Sequence, residues 1–256
     1  MNIFLYVIIF VIGCFFGSFF TLAVYRIPRK EDILIKHSYC PNCNHKLGFF
    51  DLFPVLSYIY LLGKCRYCGN KIRIRYLILE ILSGFTFVVL AIVSKTNIYY
   101  IYSIINMIFL LLYISVLFVI AGIDKENIKV EKSVLVFGFI IEMLYIIYQY
   151  TLGVVNVYQY VMYIILFILL LLLSNISLKI NLKENYCIQN LYLVMYMIIF
   201  GGSKVYILTV ILTLFVIIIY QIISNKKEKK LPIAFYLSVT NILVIAMSNI
   251  IMNYMM

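Results

Sequence analysis

The sequence predicts an all-α, polytopic membrane protein with about eight transmembrane helices and one large basic loop on the cytoplasmic side. Of its 256 residues, 65% are hydrophobic and only 12% are charged, whereas ordinary soluble domains are about 45–50% apolar and about 25% charged. The apolar residues form eight runs, and the formal net charge of +11 comes mainly from the segments between them. This composition excludes both a soluble enzyme and a disordered chain.

The eight apolar runs have lengths close to the roughly 20 residues that a membrane-spanning helix needs. They cover residues 3–25, 76–94, 98–121, 133–151, 154–175, 187–202, 204–224 and 233–254. The run at 187–202 is the shortest and contains Gln189 and Asn190. We therefore expect a tilted, broken or re-entrant segment there.

The positions of Lys and Arg orient the first run and the loop that follows it. No basic residue precedes the first run, so residues 1–25 are predicted to be a retained helix with its N-terminus outside rather than a signal peptide. Residues 26–75 hold ten of the 21 Lys and Arg residues. By the positive-inside rule, this second segment is a cytoplasmic loop.

The third segment, residues 76–256, is predicted to be a helical membrane domain. If successive spans alternate in direction, the loops at 122–132, 176–186 and 225–231 lie on the cytoplasmic side. These loops are themselves basic. The lysine-rich run at 226–230 is interpreted as a topology anchor rather than a site for anionic lipid or nucleic acid. The expected surroundings are the lipid bilayer, with no nucleic-acid partner.

Four cysteines of the basic loop form two C-x-x-C pairs. Cys40 and Cys43 make the first pair, Cys65 and Cys68 make the second, and 21 residues separate the pairs. Two such turns facing each other complete a tetrahedral zinc site, whereas two disulfides are disfavoured by the reducing cytoplasm. The loop is thus predicted to be zinc-ribbon-like. Its zinc would be structural, because four protein ligands leave no open position.

Glu80 lies a few residues into the second apolar run. A carboxylate there is costly unless it pairs with a cation or faces a polar cavity. We expect a structural ion pair with Arg26 or Arg73, and direct participation in chemistry is the alternative.

Three stretches follow one another between the first two spans: GSFFTLAVYRIP at 17–28, the two C-x-x-C pairs, and IRIRYLILE at 72–80. In this order they resemble the type IV prepilin peptidases, a family of polytopic aspartic proteases. Thr21 departs from the family, which usually has Asn at that position. Beyond this first third, the resemblance rests on the span pattern and on short fragments such as KLPIAF at 230–235.

The resemblance implies a hydrolase of the bacterial inner membrane. Such enzymes cleave the leader peptides of type IV prepilins or pseudopilins at the cytoplasmic membrane face, for type IV pilus assembly or protein secretion. The same enzyme can methylate the new N-terminus, so S-adenosylmethionine is implied as a second cofactor beside zinc.

The family's chemistry uses two Asp carboxyls that share one proton. Of the three Asp residues, Asp32 and Asp51 lie in the basic loop and are interpreted as solvated surface charges. Asp124 ends the third span, where the family has its first catalytic Asp. The family's second Asp, in a Gly-x-Gly-Asp motif, corresponds to Asn190 in CIQN at 187–190. Because Asn cannot take up a proton, Glu184 is the nearest acid that could substitute.

Three functional hypotheses follow. The first is a prepilin peptidase that cleaves the leaders of type IV prepilins or pseudopilins at the cytoplasmic membrane face. For this hypothesis, Asn190 in place of the second Asp predicts that proteolysis is weak or absent. The second is a degenerate, non-proteolytic family member that still binds prepilins. The third, a remote alternative, is an unrelated zinc-ribbon membrane protein that serves as a scaffold or a transporter subunit.

Overall fold

The computed structural model of the chain is all-helical in the part that it describes. That part comprises residues 3–33, 37–96, 99–154, 158, 160–165, 168–169, 185–224 and 231–254. Its α-helices are α1 (Ile3–Arg26), α2 (Leu56–Tyr60), α3 (Arg75–Val93), α4 (Ile101–Asn127), α5 (Lys132–Thr151), α6 (Asn185–Ser224) and α7 (Ile233–Tyr254). Among these residues there is no β-strand, only isolated bridges.

The predicted fold class is confirmed. Among the described residues, five stretches are long and apolar enough to cross a membrane: Ile3–Arg29, Arg75–Val93, Ile101–Asn127, Lys132–Thr151 and Lys204–Ile223. Two shorter apolar stretches, Ile188–Gly202 and Ile233–Met247, accompany them. The predicted span at 154–175 and the basic run at 226–230 lie largely or wholly outside the described residues.

The weak span predicted at 187–202 joins the next one within α6. A kink at Gly202, where φ is 76° and ψ is 168°, separates the two helical parts. A residue with a side chain rarely adopts this backbone conformation, whereas glycine adopts it readily. The expected break in this segment therefore falls at its C-terminal end, at a single glycine.

The chain divides into two compact units, Met1–Met107 and Ile108–Met256. In the first unit, α1 and α3 approach so closely that a Cβ atom on Gly13 would lie 2.7 Å from the Cα atom of Gly84. The hydroxyl of Ser83 donates a hydrogen bond to the Gly13 carbonyl at 2.7 Å. Small residues permit this backbone contact, as is common between membrane helices.

In the second unit, aromatic rings and buried polar groups join the helices. The Tyr113 ring of α4 stacks on Tyr196 and Phe200 of α6, with centroid distances of 4.8 and 4.0 Å. Its hydroxyl donates to the side-chain oxygen of Asn241 on α7 at 2.8 Å. These contacts fix α4, α6 and α7 against one another, and so position the end of α4 that carries Asp124.

Candidate metal centre and carboxylate site

Two backbone turns of the same kind present the four cysteines. In the first turn, the N–H of Cys40 donates to the His45 carbonyl at 3.0 Å, and the N–H of Asn44 donates to the Cys40 carbonyl at 2.8 Å. An antiparallel bridge between Tyr39 and Lys46 closes it. Asn44 has a φ of 57°, in the left-handed region that Asn tolerates better than most residues.

The second turn repeats this pattern 25 positions later. The N–H of Cys65 donates to the Asn70 carbonyl at 2.8 Å, and the N–H of Gly69 donates to the Cys65 carbonyl at 2.9 Å. Lys64 and Lys71 form the equivalent bridge. The sequence analysis missed this internal repeat, although SYCPNCNHKL at 38–47 and GKCRYCGNKI at 63–72 align without a gap.

The two turns bring their sulfur atoms together. The Sγ atoms of Cys40, Cys43, Cys65 and Cys68 all lie within 4.8 Å of one another, and those of Cys40 and Cys68 are 3.8 Å apart. A tetrahedral zinc with Zn–S bonds of about 2.3 Å separates its sulfurs by about 3.8 Å. The four cysteines are therefore arranged to bind one metal ion and are not joined in disulfides.

The thiols of this cluster differ in proton affinity. Burial raises the pKa of Cys40, but hydrogen bonds with the backbones of Cys43 and Asn42 and with neighbouring thiols outweigh it and lower the pKa to about 7. A backbone hydrogen bond at Asn70 lowers the pKa of Cys68, whereas desolvation and the other three cysteines raise it to about 11. A divalent cation that binds the four sulfur atoms as thiolates displaces the protons that these thiols carry.

Asp51 supports the second turn from outside the cluster. Its carboxylate lies 2.8 Å from Nε of Arg66 and accepts a hydrogen bond from the Tyr67 hydroxyl at 3.0 Å. The ring of Tyr67 lies 3.6 Å from that of His45, centroid to centroid, on the first turn. Asp51 was interpreted as a solvated charge; its side chain is only 5% exposed, because Arg66 and Tyr67, both between the paired cysteines, enclose it.

Glu80 is buried on α3, and its contacts differ from the expected ion pair. Its Oε2 atom accepts a hydrogen bond from the backbone N–H of Val55 at 2.8 Å, and the Ser18 hydroxyl is a second partner. Arg26 instead donates to the backbone carbonyls of Asp32 and His37, at 3.0 and 3.1 Å. The carboxylate thus connects the loop to α3 through hydrogen bonds, and the expected ion pair with Arg26 or Arg73 is not formed.

Asp124 is fully buried near the C-terminal end of α4. The Tyr186 hydroxyl donates to its two carboxylate oxygens at 2.9 and 3.1 Å. The backbone N–H of Phe235, in the first turn of α7, donates to Oδ2 at 2.9 Å. The Tyr186 oxygen in turn accepts a hydrogen bond from the N–H of Ile233 at 2.9 Å.

These hydrogen bonds replace those that the Asp124 carboxylate would make with water if it were exposed. The first N–H groups of a helix have no partner within the helix, and they carry the positive end of its dipole. A carboxylate that accepts them is stabilised by charge-assisted hydrogen bonds. Asp124 is therefore a rigidly held acceptor, and the KLPIAF segment supplies two of the residues around it, Ile233 and Phe235.

Asn190 lies one helical turn after Tyr186 on α6. Its Nδ2 atom donates to the Tyr186 carbonyl at 3.0 Å, and its buried Oδ1 atom has no hydrogen-bond partner in the part of the chain that the structure describes. Tyr186 thus lies next to both predicted site residues, and the sequence analysis did not single it out. Glu184, the proposed substitute acid, lies outside the described residues.

A further buried carboxylate was not singled out by the sequence analysis. Glu142, in the middle of α5, is 1% exposed, and neither of its carboxylate oxygens has a hydrogen-bond partner among the described residues. A single Glu within the apolar run at 133–151 was the signal that could have identified it.

Comparison with known proteins concerns the first third of the chain. Residues 11–94 match the family model of the bacterial peptidase A24 N-terminal domain. Prepilin leader peptidase/N-methyltransferases are 38% identical over 81 residues in Myxococcus xanthus, 39% over 87 residues in Vibrio cholerae and 36% over 80 residues in Bacillus subtilis. No solved structure matches the chain.

Each alignment covers about a third of this chain: 32%, 30% and 31% respectively. The chain spans only 24%, 34% and 32% of those relatives. The matched family domain contains both C-x-x-C turns and Glu80, but neither Asp124 nor Asn190. The similarity to prepilin leader peptidases is thus shown for the N-terminal third of the chain, residues 11–94.

Proposed function

We propose that this protein acts on type IV prepilins or pseudopilins at the cytoplasmic face of the bacterial inner membrane, as an aspartic endopeptidase of the prepilin peptidase type. The observation that supports this proposal is the Asp124 carboxylate, which is buried and held by the Tyr186 hydroxyl and by the first turn of α7. In this role Asp124 accepts a proton from the water that attacks the leader peptide bond. Fixed donors hold the carboxylate in one orientation for that step.

Cleavage by this protein is expected to be slow. In an intact pair of carboxyls, one activates water while the other donates a proton to the scissile carbonyl. The residue in the second position is Asn190, whose amide can donate a hydrogen bond but cannot transfer a proton. Loss of a general acid of this kind typically reduces the rate by about 10²–10⁴-fold.

The second candidate function is prepilin binding without cleavage. Two contacts favour it: the Asn190 amide is turned to the Tyr186 carbonyl, and Asp124 already accepts from Tyr186 and Phe235. A scaffold or transporter subunit unrelated to prepilin peptidases is disfavoured by the similarity of residues 11–94 to the bacterial peptidase A24 N-terminal domain.

Leader cleavage by purified protein in lipid vesicles, with a cognate prepilin, tests both candidates. The variants are Asp124→Asn, Asn190→Asp and Glu184→Gln. We expect slow cleavage by the parent protein, loss of cleavage in Asp124→Asn, and a gain of orders of magnitude in Asn190→Asp, which restores the second carboxyl.

The other outcomes discriminate clearly. Robust cleavage that survives Asp124→Asn would refute the assignment of this residue. Loss of cleavage in Glu184→Gln would instead identify an Asp and Glu pair. No cleavage by the parent protein, combined with retained prepilin binding, would favour the binding function.

Two finer points belong to the same proposal. The metal held by the four cysteines is proposed to be a structural zinc, which fastens the two turns and takes no part in cleavage. Methylation of the new N-terminus with S-adenosylmethionine is proposed from the names of the relatives alone. Transfer of a labelled methyl group to cleaved prepilin would test it.

A further inference from the structure

An apolar segment lies between the two cysteine turns. We call residues 49–62, FFDLFPVLSYIYLL, the aromatic segment; it includes α2. Several of its large side chains are strongly exposed, with Phe50 at 76%, Tyr60 at 79% and Leu62 at 83%. Strongly exposed apolar side chains that are this close together in the sequence indicate a surface that contacts another apolar phase.

One contact places the aromatic segment beside the middle of the first membrane helix. The Phe53 ring meets the Phe15 ring of α1 edge to face, with centroids 5.2 Å apart. Phe15 lies 11 residues before Arg26, where α1 ends, which is about 16 Å along the helix. The half-thickness of the bilayer core is about 15 Å, so this contact lies well below the basic end of α1.

A second, independent contact places the aromatic segment beside α3. The backbone N–H of Val55 reaches the Glu80 carboxylate at 2.8 Å, and Glu80 lies five residues inside α3 from Arg75. Val55 has a φ of 62° and a ψ of −53°, and a positive φ is costly for a β-branched residue. The contact with Glu80 therefore holds the aromatic segment close to α3, with Val55 in a strained backbone conformation.

The backbone of the aromatic segment is suited to an apolar environment, where every polar backbone group needs an internal partner. The N–H groups of Ser57, Ile59 and Leu61 donate to carbonyls within the segment at 2.9–3.1 Å. Pro54 has no N–H, and the N–H of Val55 is bonded to Glu80. The turn between Phe53 and Leu56 thus leaves few donors that require water.

The charges around the segment complement a membrane surface. Basic residues lie on both sides of it in the chain, on the cysteine turns and at the ends of α1 and α3: Arg26, Arg29, Lys46, Lys64, Lys71, Arg73 and Arg75. Such residues interact favourably with anionic headgroups. The helices α1 and α3 of the same unit also expose apolar side chains, among them Phe19 and Phe85.

We propose that the aromatic segment is inserted into the cytoplasmic leaflet of the bilayer, with Phe50, Tyr60 and Leu62 among the side chains that contact lipid. The cysteine turns then lie at the headgroup level, with their Lys and Arg residues toward lipid phosphates. The loop between α1 and α3 is consequently part membrane-embedded and part cytosolic. This inference concerns lipid binding and does not depend on the proposed proteolysis.

The chain contains no Trp, so each introduced Trp is a single fluorescent probe. We would place the full-length protein in lipid nanodiscs and compare Tyr60→Trp and Leu62→Trp in the aromatic segment with two controls. Phe85→Trp reports on a lipid-exposed position of α3. Lys46→Trp reports on an exposed position of the first cysteine turn.

Lipids with brominated acyl chains should quench Tyr60→Trp and Leu62→Trp several-fold, as they quench Phe85→Trp, and both emissions should be blue-shifted. Aqueous iodide should quench only Lys46→Trp strongly. If both segment probes behave like Lys46→Trp, the proposal is wrong. If they ignore brominated lipid but respond to an added prepilin peptide, the segment is a substrate-docking surface and the lipid assignment fails.

Discussion

At the scale of single residues, Tyr186 links three parts of the carboxylate site. Its hydroxyl donates to Asp124 and accepts from the N–H of Ile233, while its backbone carbonyl accepts from Asn190. Sequence reasoning selected Asp124 and Asn190 because of their resemblance to motif positions of the prepilin peptidases. Tyr186 matches no such motif and is identified only by its contacts.

Tyr186→Phe should weaken the site without removing its carboxylate. The variant loses a donor to a buried charge and a partner of the α7 backbone, so we expect a loss of about 1–3 kcal/mol in the free energy of unfolding. Any leader cleavage should fall as well, because Asp124 loses its fixed orientation. Denaturant unfolding in detergent measures the first effect. Tyr99→Phe, at an exposed tyrosine, is the control, and equal stability of the two variants would contradict the contact.

For Glu142, we expect replacement of the side chain to stabilise the protein. The buried carboxylate of Glu142 has no hydrogen-bond partner among the residues that the structure describes, and replacement of such a group by an apolar residue of similar volume commonly stabilises a protein by about 1–4 kcal/mol. Glu142→Leu should therefore raise the thermal midpoint, and Glu142→Gln should change it less. Thermal unfolding in detergent tests this order. A large fall in the midpoint with Glu142→Leu would mean that the carboxylate has an essential partner.

At the scale of elements, composition determines what the sequence can predict. Long apolar runs define α1, α3, α4 and α5 because a bilayer demands a fixed length of apolar helix. The boundary between the two last predicted spans depends on one residue, Gly202, whose φ of 76° follows from its surroundings rather than from its type. Composition predicted a weak span there but not the position of the kink.

Some residues of the candidate sites are likewise predictable from a local sequence pattern, and others are not. Cys40, Cys43, Cys65 and Cys68 were predictable because a short spacing alone brings each pair onto one turn. The contact between Asp124 and Tyr186 joins residues 62 positions apart, and the position of Asp51 depends on Arg66 and Tyr67. Such contacts are set by the packing of whole helices and turns, which no local pattern records.

The paired cysteine turns should hold about one zinc per chain. Their equivalent hydrogen bonds and the 3.8 Å Sγ–Sγ distance between Cys40 and Cys68 match a tetrahedral thiolate site. Metal analysis of purified protein should find the zinc, and Cys65→Ser combined with Cys68→Ser should abolish it. Cys14→Ser, at a buried cysteine of α1, is the control. Zinc that is absent from the parent protein, or unchanged in the double variant, would contradict the assignment.

At the scale of the whole molecule, charge and helix length together determine the topology. The basic residues before α3 and those at the end of α4 are predicted to lie on the cytoplasmic side. Since α3 has 19 residues, it extends about 28 Å, close to the roughly 30 Å of a bilayer core. The connection between α3 and α4 must then emerge on the opposite side, where Lys95 is the basic residue nearest to the end of α3.

This topology predicts which introduced cysteines react from outside the cell. Tyr99→Cys, at the exposed connection between α3 and α4, should react with a membrane-impermeant maleimide in intact cells. Ser133→Cys, exposed at the start of α5, should react only after the membrane is permeabilised, because α4 has 27 residues and spans about 40 Å. The parent protein supplies the background from its native cysteines. The reverse pattern would contradict this topology, because it would place the four thiols of the cysteine turns outside the reducing cytoplasm.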